Sequence, residues 1–403
     1  MAPTTVVNLK RRTRTPYLRG ILTRSLQKAG LGFDSAHLIA TKIRDLIASA
    51  EEVTSFRLRE LAVQMLEAQQ ENAVCRRYKS GGEPARMLLV RSRDGQTTLF
   101  SQEVHRRSLE RTGIPTRQAR ATTARLYHRL RADGENEIDT TRLGQLTHQA
   151  LLNEFGEESA RHYLLWSAFR RSGRPLIILL GGAPNCGKSA VSLELASRLE
   201  IVRTQSTDIL RDVMRLMIPQ RLWPVLHAYS RGAWEAPPAQ DIQPASDRHK
   251  RIAQGFSAQA QLLAVPCEAV VGRALRENES LIMEGVHLHP TLLKKLPRNE
   301  AAIVVPVMLA VLKPEDLRNR ISGWESLPPQ HRSERYLHRF DDIWQLQSQL
   351  LSEADRLAIP IVNSKRTATT VNSIMAVIRE QLEVELGAVA EQLLATAEEP
   401  ASL

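Results

Sequence analysis

The sequence predicts an α/β domain with a parallel sheet, preceded by two copies of a mainly helical module. Three observations lead to this fold class. The N-terminal half repeats itself, an apolar run at 176–180 ends in two glycines, and short apolar runs alternate with helical patterns from there onward. The 403 residues are enough for two or three domains.

The first element is the repeat. Residues 17–36 align with residues 100–119, so that Ser25 and Leu26 coincide with Ser108 and Leu109. Each copy contains apolar residues at helical spacing, preceded by a short extended piece. We therefore expect one copy at 1–82, a second at 83–170, the α/β domain at 171–390 and a tail at 391–403.

The second element is a glycine-rich loop directly after the apolar run. It matches the pattern GxxxxGK[ST] at every fixed position, between a predicted strand and an amphipathic helix. In such a loop the backbone N–H groups converge on a phosphate, the lysine adds positive charge and the serine hydroxyl binds Mg²⁺. We expect ATP or GTP, with Mg²⁺ on Ser189, to bind at Gly182, Ala183, Pro184, Asn185, Cys186, Gly187, Lys188 and Ser189.

The third element follows a predicted strand at 201–204. Its segment 206–211 resembles the (S/T)-D-x-x-R element of P-loop kinases that act on small metabolites. Asp208 would hold or deprotonate an acceptor hydroxyl or help to bind Mg²⁺, and Arg211, on the same helical face, would bind the acceptor's own anion. The alternative is that Asp208 only caps a helix beginning at Ile209.

The fourth element is a predicted strand at 281–283 that Glu284 closes. An acid at the carboxyl end of a strand beside the phosphate loop can act on a magnesium-bound water or on the acceptor. His287 and His289 form an H-x-H pair, but no cysteine or third histidine accompanies them, so we do not expect zinc. We expect His287 to form structural hydrogen bonds or to contact the acceptor.

The remaining elements are a loop or lid at 223–246, a helix at 251–278, strands at 301–311 and 359–362, and a last helix at 371–386. Arginines between the last two strands are where such kinases keep a lid that excludes water and neutralises the transferred phosphoryl group. Arg320 and Arg335 are the candidates for this catalytic role. The alternative is that they are ordinary surface arginines.

Together these motifs resemble the 2-phosphoglycerate kinase family, in which an ATP-cone precedes a P-loop kinase domain. The residues that carry the resemblance are 181–189, 206–215, 284–290, 335–337 and 359–363. The two N-terminal copies resemble the ATP-cone, and the second keeps Val90, Arg93, Asp94, Gly95 and Phe100 of its opening signature. The resemblance implies ATP-dependent phosphorylation of the hydroxyl of 2-phosphoglycerate to give 2,3-bisphosphoglycerate.

Charge and composition limit the partners. The chain has 55 Lys and Arg against 44 Asp and Glu, a net charge of +11, which favours anionic partners. We expect a nucleotide and a small phosphorylated metabolite, no nucleic acid, and cone copies that are regulatory or form a homo-oligomer. No apolar run reaches the ~20 residues of a membrane span, so we expect a cytoplasmic protein without a membrane partner.

Two other functions fit the same residues. One is an ATP-sensing regulator with weak catalysis whose basic N-terminal cones bind nucleic acid or a protein. The first 33 residues contain seven Lys or Arg and no acid, which suits a polyanion but is also typical of a solvated face. The other is a kinase that keeps the phosphate loop and acts on RNA or a nucleoside.

Overall fold

The computed structural model describes residues 4–8, 13–69, 71–79, 88–92, 94–133, 135–236, 247–295, 301–322 and 337–398. The chain forms two compact units. The first consists of Met1–Phe100 with Gly134–Asp139, and the second of Ser101–Asp133 with Thr140–Leu403.

Two small sheets with the same topology lie in the first unit. In each, the first strand pairs antiparallel with the second and parallel with the third. The duplicated order agrees with the repeat seen in the sequence. The third strands were not predicted, because three residues are too few to show an alternating pattern. The strands are β1 (Thr5–Asn8), β2 (Thr13–Pro16), β3 (Glu52–Thr54), β4 (Leu89–Arg91), β5 (Thr97–Leu99) and β6 (Glu137–Asp139).

Four helices of the first unit surround one apolar core. Ile39 and Ile43 are fully buried there, as the helical spacing predicts, together with Leu26 and Leu66. Leu46, which has the same spacing, is exposed. The third helix begins after Thr54, whose side chain accepts a hydrogen bond from the Arg57 N–H. The helices are α1 (Arg19–Lys28), α2 (Phe33–Ile47), α3 (Ser55–Ala68) and α4 (Asn72–Lys79).

The second unit contains a five-stranded sheet in which every pairing is parallel. The order is β11-β10-β7-β9-β8. The chain therefore leaves the central strand β7 toward one edge and later crosses to the other side, which places a crevice at the carboxyl end of β7. All five predicted strands are confirmed, with ends shifted by at most two residues: β7 (Leu176–Gly182), β8 (Arg203–Ser206), β9 (Leu281–Glu284), β10 (Ile303–Ala310) and β11 (Ile361–Asn363).

The helices of the second unit include the predicted long one, which passes through Pro266, and a last helix that is longer than predicted. None of the helices in the described ranges is both long and apolar enough to cross a bilayer. The helices are α5 (Gln102–Glu110), α6 (Thr116–Ala132), α7 (Thr140–Ser172), α8 (Lys188–Leu199), α9 (Thr207–Met217), α10 (Pro224–His227), α11 (Arg248–Arg276), α12 (Pro290–Lys295), α13 (Pro314–Ser322), α14 (Phe340–Arg356) and α15 (Thr367–Glu398), with a 3₁₀ helix at Ser230–Glu235.

The central strand contributes alternate side chains to two cores, one on each face of the sheet. Ile177 and Leu179 belong to the core that contains Phe256 of α11, whereas Ile178 and Leu180 belong to the core that contains residues of α15. A strand that is buried on both faces has apolar residues at every position, which explains the continuous apolar run at 176–180.

The last helix that precedes the sheet also contributes to its core. Helix α7 is interrupted at Gly156 and then continues to Ser172. In this second part Leu164, Leu165 and Trp166 are buried in the same core as Ile178 and Leu180. The core of the α/β domain therefore draws on side chains that precede residue 171.

Candidate nucleotide and acceptor site

The phosphate loop lies between β7 and α8. Gly187 has a φ of 87°, in the left-handed region, just before the helix begins at Lys188. A Cβ on Gly182 would lie 2.5 Å from the Leu309 carbonyl oxygen, so only glycine fits there. The strand before the loop and the helix after it are the surroundings that the motif requires, and both are confirmed.

Lys188 is held inside this loop. Its side chain is largely buried, and Nζ donates a hydrogen bond of 2.8 Å to the Ala183 carbonyl oxygen. Nζ also lies 3.8 Å from Cys186 Sγ. The ammonium group therefore stands beside the backbone donors and at the positive end of α8, where a phosphate chain would be bound.

Ser189 and Glu284 meet at the carboxyl end of the sheet. Glu284 is the last residue of β9 and pairs in register with Leu180 of β7, as predicted for an acid beside the phosphate loop. The Ser189 hydroxyl donates a hydrogen bond of 2.9 Å to Glu284 Oε1. Mg²⁺ prefers oxygen ligands, so the adjacent Ser189 hydroxyl and Glu284 carboxylate are suited to bind this ion.

Asp208 and Arg211 lie on the first turns of α9. The cap of this helix is Ser206, whose hydroxyl accepts a hydrogen bond from the Asp208 N–H. The alternative that Asp208 is the capping residue is therefore wrong, because the helix begins earlier, at Thr207. The Asp208 side chain is 57% exposed, and its Oδ1 lies 3.9 Å from Arg211 Nη2. Acid and arginine are thus neighbours, as the motif predicts.

His287 lies behind the surface of the site. Its ring has no exposed area, and Nδ1 lies 3.0 Å from Thr207 Oγ1. Nε2 lies 3.0 Å from Ser230 Oγ and 3.2 Å from Gln259 Oε1. Burial, helped by the charges of Arg211 and Lys188, lowers the pKa of His287 to about 3, so the ring is neutral. Both ring nitrogens are occupied by protein groups and the ring is buried, so His287 forms the structural hydrogen bonds that the sequence allows and does not face the acceptor as a binding residue.

Gly285 permits the close approach of α9 to the end of β9. A Cβ at this position would lie 1.7 Å from Thr207 Oγ1. We therefore expect Gly285→Ala to lower the free energy of unfolding by about 1–3 kcal/mol or more, because Thr207 and its partner His287 must move. Denaturant unfolding measures this change.

Gly20→Ala is the matched control, since no atom lies within 4 Å of the added methyl in α1. It should leave the stability unchanged or raise it by up to about 1 kcal/mol. A Gly285→Ala protein that unfolds at the wild-type denaturant concentration would contradict the tight packing.

Arg320 lies against the phosphate loop. Its guanidinium donates hydrogen bonds to the Cys186 carbonyl oxygen at 3.2 Å and to the Ser364 hydroxyl and carbonyl oxygens at 3.1 and 2.6 Å. It thus joins the loop after β11 to the phosphate loop. The catalytic role predicted for Arg320 remains a prediction, and Arg335 lies outside the described residues.

The predicted lid at 223–246 is described as far as residue 236. It contains α10 and the 3₁₀ helix, which Gln259 holds by donating hydrogen bonds of 2.7 and 2.9 Å to the Val225 and Ala228 carbonyl oxygens. A cavity of about 550 Å³ lies against this segment, with Tyr229 and Arg231 in its wall. No local pattern in the sequence marks Ser230 or Gln259 as part of the site.

The fold and the site together define a class of protein. A parallel sheet carries a phosphate loop at the carboxyl end of its central strand. Lys188, the Ser189–Glu284 pair and Arg211 all lie at or just after the carboxyl ends of its strands. This is the arrangement of a P-loop kinase, a phosphotransferase with an alcohol group as acceptor.

Comparisons with known proteins identify the family. The model of the ATP cone domain matches residues 88–172. The 2-phosphoglycerate kinase of Pyrococcus furiosus is 31% identical over 297 residues, which cover 73% of this chain and 94% of that protein. The 2-phosphoglycerate kinase of Methanopyrus kandleri is 32% identical over 298 residues, 74% of this chain and 88% of that protein. The chain belongs to the 2-phosphoglycerate kinase family.

A solved structure was also found. The gluconokinase from Sinorhizobium meliloti 1021 is 17% identical in sequence and has a TM-score of 0.28. The match covers 55% of this chain and 97% of the gluconokinase.

Proposed function

We propose that this protein transfers the γ-phosphoryl group of ATP to the hydroxyl of 2-phosphoglycerate, giving 2,3-bisphosphoglycerate and ADP. The observation that carries the proposal is the position of the buried Arg211 guanidinium, one helical turn from the exposed Asp208 carboxylate. Its helix α9, like the phosphate loop, follows the carboxyl end of a parallel strand. Arg211 can therefore bind the anionic group of an acceptor while the nearby Asp208 accepts the proton of the acceptor's hydroxyl group. The names of the relatives support the same acceptor.

The residues of the phosphate loop fit a nucleoside triphosphate. The glycines leave the backbone open to phosphate oxygens, and Lys188 supplies the positive charge beside them. Ser189 and Glu284 would hold Mg²⁺, directly or through water, because their oxygens already adjoin one another. The ion would neutralise the charge of the phosphate chain.

Asp208 and Arg211 would position the acceptor. Arg211 binds the anion that the acceptor already bears, and Asp208 accepts the proton of its hydroxyl group. The hydroxyl oxygen forms a bond to the γ-phosphorus as the bond to the β-phosphate oxygen breaks, and ADP leaves. Arg320, which holds the phosphate loop, and Arg335 are the proposed lid arginines.

The direct test is to incubate the purified protein with ATP, Mg²⁺ and 2-phosphoglycerate and to follow the product by ³¹P NMR. We expect 2,3-bisphosphoglycerate to form in step with ADP. The proposal fails if neither 2-phosphoglycerate nor any of a panel of phosphorylated polyols is phosphorylated.

A further inference from the structure

A chain of hydrogen bonds connects helix α11 to the acceptor side of the site, and its direction can be assigned. Gln259 donates both amide hydrogens to carbonyl oxygens of the lid segment. Its Oε1 atom therefore faces His287 as an acceptor. His287 Nε2 lies 3.2 Å from this oxygen, a contact that is favourable when the proton of the neutral ring is on Nε2 and Nδ1 accepts from the Thr207 hydroxyl.

This assignment determines what Ser230 can do. The one hydrogen on Nε2 is shared, because the Ser230 oxygen lies 3.0 Å and Gln259 Oε1 3.2 Å from this nitrogen. Arg211 Nη1 also donates to the Ser230 oxygen, at 3.4 Å. A hydroxyl group has two lone pairs and one hydrogen. Since both lone pairs face donors, the Ser230 hydrogen remains to be donated to another group.

The Arg211 guanidinium is incompletely hydrogen-bonded by the described residues. Its side chain is about nine-tenths buried, yet its hydrogen bond to Ser230 is near the longest distance for such a bond. Its Nε has no partner among the described residues. Asp208 and Asp212 are exposed carboxylates, and they stay 3.9 and 3.8 Å from Nη2. A buried guanidinium with so few hydrogen bonds is costly unless a ligand completes them.

We propose that the Ser230 hydroxyl and the Arg211 guanidinium together bind an oxyanion of the acceptor, which is its phosphate or its carboxylate. The inference rests on the proposed function and adds Ser230 as a substrate-binding residue. Both donors are largely buried, and Arg211 lies beside Asp208.

His287 and Gln259 are positioning residues in this site. They hold the lid segment and the Ser230 oxygen through hydrogen bonds, which leaves the Ser230 hydrogen for an oxyanion. The lid segment and the bound anion should therefore stabilise each other.

The test is isothermal titration of the full chain with 2-phosphoglycerate, in the presence of a saturating non-hydrolysable ATP analogue that occupies the phosphate loop. We expect Ser230→Ala to weaken acceptor binding by about 10- to 100-fold, the effect of losing a hydrogen bond to a charged group, without changing the affinity for nucleotide. Ser230→Thr, which keeps a hydroxyl, should restore most of the affinity.

Ser348→Ala is the matched control, because its hydroxyl only bonds the Trp344 carbonyl oxygen on the exposed side of α14. Titrations with inorganic phosphate and with glycerate distinguish the two anions: the phosphate group is bound if only the phosphate affinity depends on Ser230, and the carboxylate if only the glycerate affinity does. The inference is overturned if Ser230→Ala binds all three ligands as the wild type does, or if the wild type binds none.

The two proposals can fail separately. If phosphate or glycerate binding depends on Ser230 but no acceptor is phosphorylated, the anion site stands and the proposed reaction falls. If 2-phosphoglycerate is phosphorylated with the same KM by the wild type and Ser230→Ala, the reaction stands and the anion site falls.

Discussion

Lys188→Ala is expected to lower kcat by at least about a hundredfold, the usual cost of removing a charged donor from a transition state. The ammonium group lies beside the donors of the phosphate loop, where it would face the β- and γ-phosphates. Within the described ranges Nζ bonds the Ala183 carbonyl oxygen and, more weakly, Cys186 Sγ, so the free energy of unfolding should change by about 1 kcal/mol or less. Steady-state kinetics and denaturant unfolding measure the two effects.

Lys313→Ala provides the control for this change. Lys313 is an exposed lysine that precedes α13. We expect its replacement to leave both kcat and stability near the wild-type values. Turnover by Lys188→Ala within about tenfold of the wild type would refute the assignment of this loop as the catalytic phosphate site.

Removal of residues 1–170 is expected to prevent stable folding of the α/β domain, whereas a chain that begins at residue 101 should fold. The shorter chain lacks Leu164, Leu165 and Trp166, which are buried in the core of the sheet. Each such side chain contributes about 1.5–3 kcal/mol when buried. The total loss is comparable with the whole stability of a domain, about 5–15 kcal/mol. Circular dichroism and thermal unfolding, measured on both chains, show which of the two folds.

Single substitutions in the full chain test the same idea. Leu165→Ala should lower the free energy of unfolding by about 2–5 kcal/mol, because it opens a cavity in the core. Leu152 is the control on the same helix, before the break at Gly156. Its side chain is 40% exposed, so Leu152→Ala should cost about 1 kcal/mol or less. A chain of residues 171–403 that unfolds cooperatively would refute the shared core.

The parts of the site that are contiguous in the sequence could be predicted well. The phosphate loop is one short segment whose backbone shape follows from its glycines and from the strand and helix beside it. Glu284 could be placed because parallel strands end at the same edge of a sheet, and the structure brings it to Ser189. The repeat was visible because both copies keep the same spacing of helical residues.

Other features could not be predicted from local patterns. The strands β3 and β6 are too short to show a period. The start of α9 was misplaced because both Ser206 and Asp208 are good capping residues, and only the backbone shows which one is used. The contribution of α7 to the core of the sheet depends on packing between segments that the pattern of each segment alone does not reveal.

By itself the sequence determined the class of fold, the phosphate loop and the pairing of Asp208 with Arg211 one turn later, because each depends on residues within a few positions of one another. Only the tertiary structure decided how Arg211 is held and which residue joins it. The hydrogen bonds of Thr207, Ser230, Gln259 and His287 link four elements that are distant along the chain. Such contacts form when the sheet and its helices pack, so no short segment encodes them.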